Sequence, residues 1–373
     1  MKIRQPLFIL IMVVLFGAQT NAQTDVKFVN EFLNIGVGAR AHGMFGTVTS
    51  TVDDVTAAYW NPAGLAKVNQ SSQLSAMHAS WFGGIANYDY IGYGKLFTEK
   101  NRGFGSISLI RMGIDNIPNT LNLIGPDGSV NYDNVLEFSA ADYALFLSYG
   151  QNIGESGLSV GGSAKVIVRS IGSFGSAKGF GFDFGVMYKK GRFEFGLMGR
   201  DITTTLNNWS FSLSPEEQVV FQQTGNVIPV SSTEIALPKL ILSSAYRIGS
   251  IENISYLIAA DLRLSTDGTQ SGIFSGDKIA IDPSFGFEMS YKQKLFLRAG
   301  MGNLQRTINE TSSTDRSLEF QPNVGLGINL GLINIDYALT NIGSVSGVLV
   351  SHIFSLTVDF GDKKSVSTEI IDQ

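Results

Sequence analysis

The sequence contains no cysteine among its 373 residues. Disulfides, thiolate metal sites and lipidation of a cysteine at a cleavage site are therefore excluded. Charged residues make up only 16% of the chain, against about 25% in ordinary soluble domains, and no basic block stands out. This composition excludes a nucleic-acid partner of the usual basic kind, and it indicates a fold whose outside is not water.

Long apolar runs are also missing, apart from one near the start of the chain. The first 22 residues have a short basic beginning, an apolar run over 6–18 and small residues at the cleavage spacing. This pattern predicts a secretory signal peptide over residues 1–22, so we expect an exported chain that begins at Gln23. The apolar run is too short for a helical span, which needs about 20 residues, and no later segment offers one.

Glycine and phenylalanine are abundant, with 42 and 25 residues. In the stretch KGFGFDFGVMY, the aromatic residues Phe180, Phe182 and Phe184 alternate with glycines and Asp183. Successive side chains of a strand point to opposite faces, so this pattern predicts one aromatic face and one small or charged face. An apolar, aromatic outer face is typical of strands that contact lipid.

The same alternation recurs along the chain and predicts about fourteen strands within residues 71–360. They are placed at 72–82, 87–97, 103–114, 141–152, 158–171, 179–189, 192–203, 238–248, 255–265, 283–292, 295–304, 319–330, 333–341 and 350–360. We predict an all-β fold, a transmembrane antiparallel up-and-down β-barrel in a Gram-negative outer membrane, with residues 361–373 as a periplasmic tail. A soluble β-sandwich also alternates, but it gives no reason for the unequal loop lengths.

The connections between the predicted strands are alternately long and short. The long ones, at 115–140, 204–237, 266–282 and 305–318, all fall after odd-numbered strands, which is the pattern of outer loops opposite periplasmic turns. The two longest, 115–140 and 204–237, are the candidate surface for a protein partner. Solvated loops without a specific use are the alternative interpretation.

Residues 23–70 precede the first strand and are rich in small side chains. Within them, DDVTAAYWNPAGLA is typical of two short helical pieces, the second capped by an asparagine and begun by a proline. A barrel of this size leaks unless its lumen is filled, so we predict a partly helical hatch in the lumen. The central hatch positions are Asp53 and Asp54 as caps of the first piece, Trp60, whose indole we expect against the barrel wall, and Asn61, Pro62, Ala63 and Gly64.

Charged residues on the predicted strands point mostly to the lumen. We predict that they form a network that braces barrel and hatch, with a polar lane for a ligand as the alternative. The predicted network comprises Asp183, Glu194, Asp261, Arg263, Glu288, Arg298 and Asp336. Aromatic girdles at the membrane interfaces are predicted to include Trp81, Trp209, Tyr88, Tyr90, Tyr93 and Tyr246.

Motifs that carry catalysis are weak in this chain. GLSVG fits the pattern of a nucleophile elbow around Ser159, but the following residues continue a strand where that motif requires a helix. GVGARAHG lacks the spacing of a dinucleotide-binding loop. The histidines His42, His78 and His352 are scattered along the chain. We therefore predict no enzymatic activity, no cofactor and no metal site.

Several segments resemble one known family. NEFLNIGVGARAHGMFG followed by DDVTAAYWNPAGLA is similar to the N-terminal signature of the PorV/PorQ outer-membrane proteins of Bacteroidota, and the likeness continues through NYDNVLEFSAADYALFLSYG, FGLMGRDITTT and FQPNVGLGINLG. The resemblance implies an accessory role in type IX protein secretion, with the translocon and cargo C-terminal domains as partners besides outer-membrane lipid. It carries over the hatch positions Trp60, Asn61, Pro62, Ala63 and Gly64, and no catalytic residue.

A more distant resemblance is to the FadL family of fatty-acid transporters, in which an N-terminal hatch plugs a fourteen-stranded barrel. It implies the alternative function, transport of hydrophobic small molecules across the outer membrane, with a lipid or fatty acid in the lumen. We expect the secretion role in preference, because the N-terminal likeness is to PorV/PorQ. A pocket between hatch and wall, or a strand kink that opens sideways, would favour transport.

Overall fold

The computed structural model describes residues 29–124, 128–223, 227–251, 253–266, 274–275, 279–308, 316–342 and 350–361. The predicted signal peptide at 1–22, the first hatch residues at 23–28 and the predicted tail from 362 onward lie outside the described residues. Among the residues described, none of the helices combines the length and apolar character needed to cross a membrane.

Fourteen antiparallel strands, joined in chain order, form the wall. They are β1 Ser72–Trp81, β2 Ala86–Thr98, β3 Gly103–Asn119, β4 Leu136–Ile153, β5 Leu158–Ile171, β6 Gly175–Lys190, β7 Phe193–Arg200 with Thr205–Phe211, β8 Ser232–Ala236 with Lys239–Ile251, β9 Ile254–Ser265, β10 Ala280–Tyr291, β11 Leu295–Ile308, β12 Arg316–Asn329, β13 Ile333–Thr340 and β14 Ser351–Phe360. A two-residue piece, Phe274–Ser275, pairs with the start of β10.

The barrel is closed by pairing of the first and last strands, with Ser72 opposite Phe360. Closure leaves no unpaired edge, which a wall in lipid requires because no water is available to its backbone groups. Two strands are interrupted: both pieces of β7 pair with β6, and both pieces of β8 pair with β7. Each is therefore one strand across the wall, and the predicted closed barrel of fourteen strands is confirmed.

The outer face of the wall is apolar, as the alternation predicts. In β6 the side chains of Phe180, Phe182 and Phe184 are 55%, 44% and 46% exposed, whereas Asp183 between them is 3% exposed and points inward. Aromatic side chains placed outside and small or charged ones inside give a wall that faces lipid outside and a packed polar lumen inside.

The connections after even-numbered strands are short turns, such as the two residues between Lys190 and Phe193. The prediction of a continuous outer loop at 204–237 is corrected, because the second piece of β7 and the first piece of β8 extend the wall into this region. A helix, α3 Pro215–Gln223, lies in what remains of the loop. Likewise β3 and β4 continue to Asn119 and from Leu136, which shortens the predicted loop at 115–140.

The N-terminal segment lies inside the barrel and supplies much of the buried core. Its elements are a 3-10 turn at Glu31–Asn34, helix α1 Ala39–Gly43, helix α2 Ala57–Trp60 and a 3-10 turn at Pro62–Lys67. Two further 3-10 turns, Phe82–Gly84 and Tyr132–Asn134, lie in loops. The hatch elements pack against β3–β6 on one side of the lumen and β11–β14 on the other, so they cross it from wall to wall.

Candidate functional site: the hatch, the wall and the cavity between them

The break between the two helical pieces of the hatch is made by Asn61, whose backbone is extended. Its side-chain oxygen accepts a hydrogen bond from the backbone N–H of Ala63 at 3.2 Å, and Pro62 occupies the first position of the next turn. The side-chain nitrogen donates to the backbone oxygens of Thr49 at 2.9 Å and of Val186 at 3.2 Å. Asn61 therefore caps a helical turn and also fastens the hatch to β6.

Three glycines of the wall make room for this part of the hatch. A Cβ added at Gly150, Gly161 or Gly185 would lie 2.3, 2.3 and 1.9 Å from atoms of Pro62 or Asn61, distances that real Cβ atoms do not reach. These glycines belong to β4, β5 and β6 and lie on their lumen faces. The hatch backbone thus rests directly on the strand backbones, and any larger side chain at these positions displaces it.

A second group of glycines supports the hatch on the opposite wall. A Cβ at Gly300 would lie 2.2 Å from the carbonyl carbon of Met44, and one at Gly325 would lie 3.0 Å from the Cα of Gly43. These positions are in β11 and β12, across the lumen from the first group. The hatch therefore spans the lumen and is in close contact with the barrel wall on two opposite sides.

The remaining predicted hatch positions have structural roles. Asp54 accepts a hydrogen bond from the backbone N–H of Thr56 at 2.8 Å just before α2, and its burial raises the pKa of its carboxyl group. Asp53 is exposed and pairs with Arg40 at 3.2 Å. A Cβ at Gly64 would lie 2.5 Å from the backbone oxygen of Val52, and Ala63 is fully buried. Of the two aspartates, Asp54 is the one that holds the start of the helical piece.

The expected packing of Trp60 against the barrel wall is corrected by the structure. Its indole nitrogen donates to the backbone oxygen of Val37 at 2.8 Å, and its ring lies over Gly36 and Gly46. It also packs edge-on against Tyr59 at 4.8 Å between ring centroids. All these partners belong to the hatch.

Three of the predicted lumen residues meet in one ion cluster. Arg298 donates to Glu288 at 2.7 Å and to Asp336 at 2.6 Å, and Arg40 of the hatch donates to the same Glu288 oxygen at 3.0 Å. This cluster joins β10, β11 and β13 to the hatch. It is the part of the predicted network that braces the two.

The other predicted lumen residues lie in separate groups. Asp261 accepts from Ser243 at 2.5 Å, and Arg263 donates to the backbone oxygen of Phe45 in the hatch at 3.3 Å. Glu194 is buried and pairs with Arg247 at 3.3 Å. The Ser243 hydroxyl also bonds to that of Ser50 in the hatch at 2.8 Å. The single network predicted from the sequence is therefore several local clusters, of which those around Glu288, Arg263 and Asp261 reach the hatch.

Asp183 belongs to a cluster that the sequence analysis missed in part. The ammonium group of Lys165 lies 2.8 Å from Asp183 and 2.6 Å from Asp201, and both Lys165 and Asp183 are almost fully buried. The backbone N–H of Asp201 donates to Asp183 at 2.8 Å, and the Thr205 hydroxyl donates to Asp201. The only sequence signal for Lys165 is a lysine at an inward position of β5, between Ala164 and Val166.

This cluster lies behind the interruption of β7. Between Arg200 and Thr205 the strand leaves the regular pairing with β8, and the facing residues of β8 are Leu237 and Pro238. Asp201 and Thr204 have φ values of 56° and 63°, in the left-handed region that a β-branched residue such as threonine rarely adopts. The buried ion cluster holds this strained segment in place, so the interruption is a defined feature of the wall.

A cavity of about 280 Å³ lies on the outer side of the hatch. Aromatic rings of the hatch, namely Phe45, Tyr59, Trp60 and His42, form part of its lining together with Trp81 of β1. Cationic side chains also line it, namely Arg200, Lys239 and Arg263, the last paired with Asp282. Burial lowers the pKa of His42 to about 4, so this imidazole is neutral at pH 7.

The hatch segment 30–35 contacts β7 on both sides of its interruption. Before the interruption, Arg200 donates to the backbone oxygen of Leu33 at 3.5 Å. Arg200 also donates to the hydroxyl and to the backbone oxygen of Tyr59, both at 3.2 Å, and stacks on its ring at 4.4 Å. Asn207, just beyond the interruption, donates to Asn30 at 2.7 Å. Asn34, Ile35 and Arg200 line the cavity, so the cavity and the interruption are neighbours.

The motifs that the sequence analysis set aside as catalytic or metal-binding candidates lie in ordinary strand and hatch surroundings. Ser159 is buried within β5, and the strand continues beyond it without a helix. His78 pairs with Asp89 at 2.7 Å and His352 with the Tyr337 hydroxyl at 2.7 Å, each away from the other histidines. In the described ranges, no group of three acidic or histidine side chains is placed to hold a metal ion.

The prediction of interfacial girdles is wrong for Tyr88, Tyr90 and Trp209, which are buried in the lumen, and for Trp81, which lines the cavity inside the barrel. Even-numbered residues of β2 point inward, and the Tyr90 hydroxyl donates to the backbone oxygen of Val55 in the hatch at 3.2 Å. Tyr93, at an odd position, is exposed on the outer face.

Fold and site together define a class of protein: a fourteen-stranded, hatch-plugged barrel of the outer-membrane type, with a cavity outside the hatch and an interruption of β7 in the wall. Solved structures of this form are similar to the chain. The toluene transporter TodX of Pseudomonas putida matches with a TM-score of 0.55 and 14% identity over 87% of this chain and 98% of its own. The toluene transporter TbuX of Ralstonia pickettii matches with a TM-score of 0.52 and 13% identity over 87% and 99%.

A third similar structure, a FadL homologue of Pseudomonas aeruginosa, has a TM-score of 0.49 and 13% identity over 87% of this chain and 98% of its own. The likeness to TodX and TbuX shows a shared barrel fold. No known family model matches the sequence. No curated protein matches it either.

These comparisons correct the expected function. The accessory role in type IX secretion followed from short sequence motifs, whereas the solved structures that cover almost the whole barrel are hydrocarbon transporters. That prediction is therefore wrong. TodX and TbuX are described as toluene transporters. The resemblance to PorV/PorQ stays a prediction from the sequence.

Proposed function

We propose that this protein is a non-enzymatic outer-membrane transporter for small hydrophobic molecules, exported by the signal peptide at 1–22. The observation that carries the proposal is the strained, ion-braced interruption of β7 beside a cavity that the hatch closes from below. Strained backbone persists only where the surroundings enforce it, and it is concentrated at functional sites.

The route has three parts. A molecule first binds in the cavity on the outer side of the hatch, where Tyr59 and Trp60 offer aromatic surface. The hatch blocks the direct way to the periplasm, because it rests on glycines of both walls. Segment 30–35 then moves aside. The molecule leaves through the interruption of β7, between Asp201 and Thr204, into the apolar part of the bilayer. A hydrophobic molecule needs no energy input for this step, since lipid is its preferred solvent.

The size and lining of the cavity support a substrate of one or two rings or a short apolar chain. A cavity of about 150 Å³ already binds benzene in an engineered protein, and this cavity measures about 280 Å³. The similar proteins TodX and TbuX are described as toluene transporters, so monoaromatic hydrocarbons are the first substrates to test. A lipid or fatty acid is the second class, because Arg200 and Lys239 provide positive charge for a carboxylate.

The proposal is tested by removing the interruption of β7, so that β7 and β8 pair without extra residues. Deleting Ile202 and Thr203 shortens the segment between Arg200 and Thr205 from four residues to two, which matches the two facing residues of β8. The variant is expressed in cells without a hydrocarbon transporter, and uptake of radiolabelled toluene and of a long-chain fatty acid is measured. We expect uptake to fall to the level of cells that carry no transporter.

The matched control is deletion of Val227 and Ile228, two residues of the loop that joins the same strands. Both variants are checked for folding by the mobility shift on heating that closed barrels show in detergent gels. Normal uptake by a folded Ile202–Thr203 deletion would refute the lateral route. Absence of uptake by the unmodified protein, for both substrates, would refute transport itself.

A further inference from the structure

A second cavity, of about 560 Å³, lies on the outside of the barrel, on the face of β2–β5 that contacts lipid. The residues that line it are mostly apolar, and one is a lysine. They are Tyr93, Lys95, Phe97, Gly105, Ser106, Ile107, Leu147, Ser148, Tyr149 and Gly162. We refer to this cavity as the outer groove. It is separated from the transport route by the thickness of the wall.

The groove lies where glycines interrupt the apolar outer surface. One row of paired residues crosses four strands as Lys95, Gly105, Tyr149 and Gly162. Gly162 leaves the surface open, whereas the ring of Phe97 lies over Gly105, 2.3 Å from the position of an added Cβ. The next row toward the outside carries Tyr93, Ile107 and Leu147. The groove is therefore about one side chain deep, and its walls are aromatic and aliphatic.

The groove lies near the periplasmic end of the wall. Lys95 is three residues before the end of β2 at Thr98, and a short turn connects β2 to β3. At about 3.3 Å per residue and a tilt of about 40°, its Cα lies roughly 8 Å from the end of the strand along the barrel axis. The long lysine side chain reaches the headgroup level from this depth, and the Tyr149 hydroxyl donates to Gln151 at the same end.

Positive charge is concentrated at this end of the barrel. The described cations within four residues of the periplasmic strand ends, or in the turns, are Lys95, Lys100, Arg102, Lys189, Lys190, Arg192, Arg247, Lys292, Lys294 and Arg298. The acidic residues described there are Glu99, Glu155, Glu194, Glu288, Asp336 and Asp359. Cations outnumber acids although the whole chain carries a net charge of −5, so the periplasmic rim attracts anionic headgroups.

We propose that the outer groove is a binding site for an anionic glycerophospholipid of the periplasmic leaflet, with one acyl chain in the groove and the phosphate beside the Lys95 ammonium. The position of the groove in the lipid-facing wall makes a bilayer lipid its occupant. The lysine and the basic rim select an anionic headgroup over a zwitterionic one by charge. This site does not depend on the proposed transport function.

The proposal is tested by native mass spectrometry of the full mature chain in detergent, after incubation with phosphatidylglycerol or phosphatidylethanolamine. Lys95→Gln removes the charge, and Gly162→Leu fills the groove; a Cβ at Gly162 meets only the Asp183 backbone oxygen at 3.6 Å, so the wall tolerates a side chain there. Lys190→Gln, which removes an exposed rim lysine away from the groove, is the matched control.

We expect one tightly held phosphatidylglycerol on the unmodified protein and on Lys190→Gln. We expect about fivefold weaker binding for Lys95→Gln, the factor given by one charge near a membrane surface, and loss of the bound lipid for Gly162→Leu. Equal retention of the two lipids would refute the anionic selectivity. Full retention of phosphatidylglycerol by Gly162→Leu would refute the groove as the site. If Lys190→Gln weakened phosphatidylglycerol binding as much as Lys95→Gln does, the general charge of the rim and not Lys95 would account for the binding, which would refute the role of Lys95.

Discussion

Replacement of Gly161 by alanine tests whether the hatch is held by direct backbone contact. The added Cβ would lie 2.3 Å from the carbonyl carbon of Pro62 and 2.4 Å from its oxygen, where ordinary contacts begin at 3.4 Å. Both neighbouring atoms are backbone, so no side-chain rotation relieves the clash, and the hatch must retreat by about 1 Å. Overpacking of this kind costs about 1–3 kcal/mol, which raises the undocked fraction of the hatch about 5- to 150-fold.

The measurement is single-channel conductance of the purified variant in planar lipid bilayers, because an undocked hatch leaves the lumen open to ions. We expect more frequent and larger openings for Gly161→Ala than for the unmodified protein. The control is Gly162→Ala at the next position, whose Cβ points outward and meets only an oxygen at 3.6 Å. If the two variants conduct alike, the glycine contacts do not hold the hatch, and the explanation of its docking fails.

Asn61→Ala removes a helix cap and the bonds to β6, which costs about 1–2 kcal/mol of hatch docking, and higher bilayer conductance than that of the unmodified protein is expected. The pKa of His42 is about 4 in the docked hatch, against 6.5 for an exposed histidine, so protonation favours the undocked hatch. Bilayer conductance should therefore rise as the pH falls from about 6.5 toward 4, and His42→Gln should abolish this rise. Phe182→Arg places a charge on the lipid face at a cost of about 2–4 kcal/mol, and the amount of folded protein in outer membranes should fall accordingly. Lys165→Met leaves the carboxylates of Asp183 and Asp201 without their cation. We expect the free energy of unfolding in detergent to fall by about 3–5 kcal/mol. An unchanged denaturation midpoint would mean that the cluster does not brace the wall.

Local patterns in the sequence are sufficient to predict the barrel. Side-chain alternation in β6 gives both the strand and its lipid-facing parity, and the asparagine-proline step at Asn61 gives the break in the hatch, since each depends only on neighbouring residues. The same argument fails in β2, where Tyr88 and Tyr90 on one face and Tyr93 on the other are equally aromatic. Which face turns inward there is decided by contact with the hatch.

The interruption of β7 could not be predicted for a similar reason. The segment RDITTT contains neither glycine nor proline, and its threonines favour a continuous strand. What breaks the strand is the buried pairing of Asp201 with Lys165 on a strand distant in sequence. The cavity is equally invisible in the sequence, because its lining comes from the hatch and from many strands. The functional prediction failed because it depended on motifs of the hatch, which both transport and secretion barrels are expected to need.

The enclosed position of the hatch has a consequence for the assembly of the protein. Residues 29–68 supply nearly half of the buried apolar side chains described, so an empty barrel would enclose few apolar contacts of its own. The N-terminal segment can therefore be fully buried only when the strands from β1 to β14 have assembled around it. Closure of the seam at Ser72 and Phe360 then seals the hatch inside. Assembly of this protein is thus a folding step in which the first segment made is the last to be enclosed.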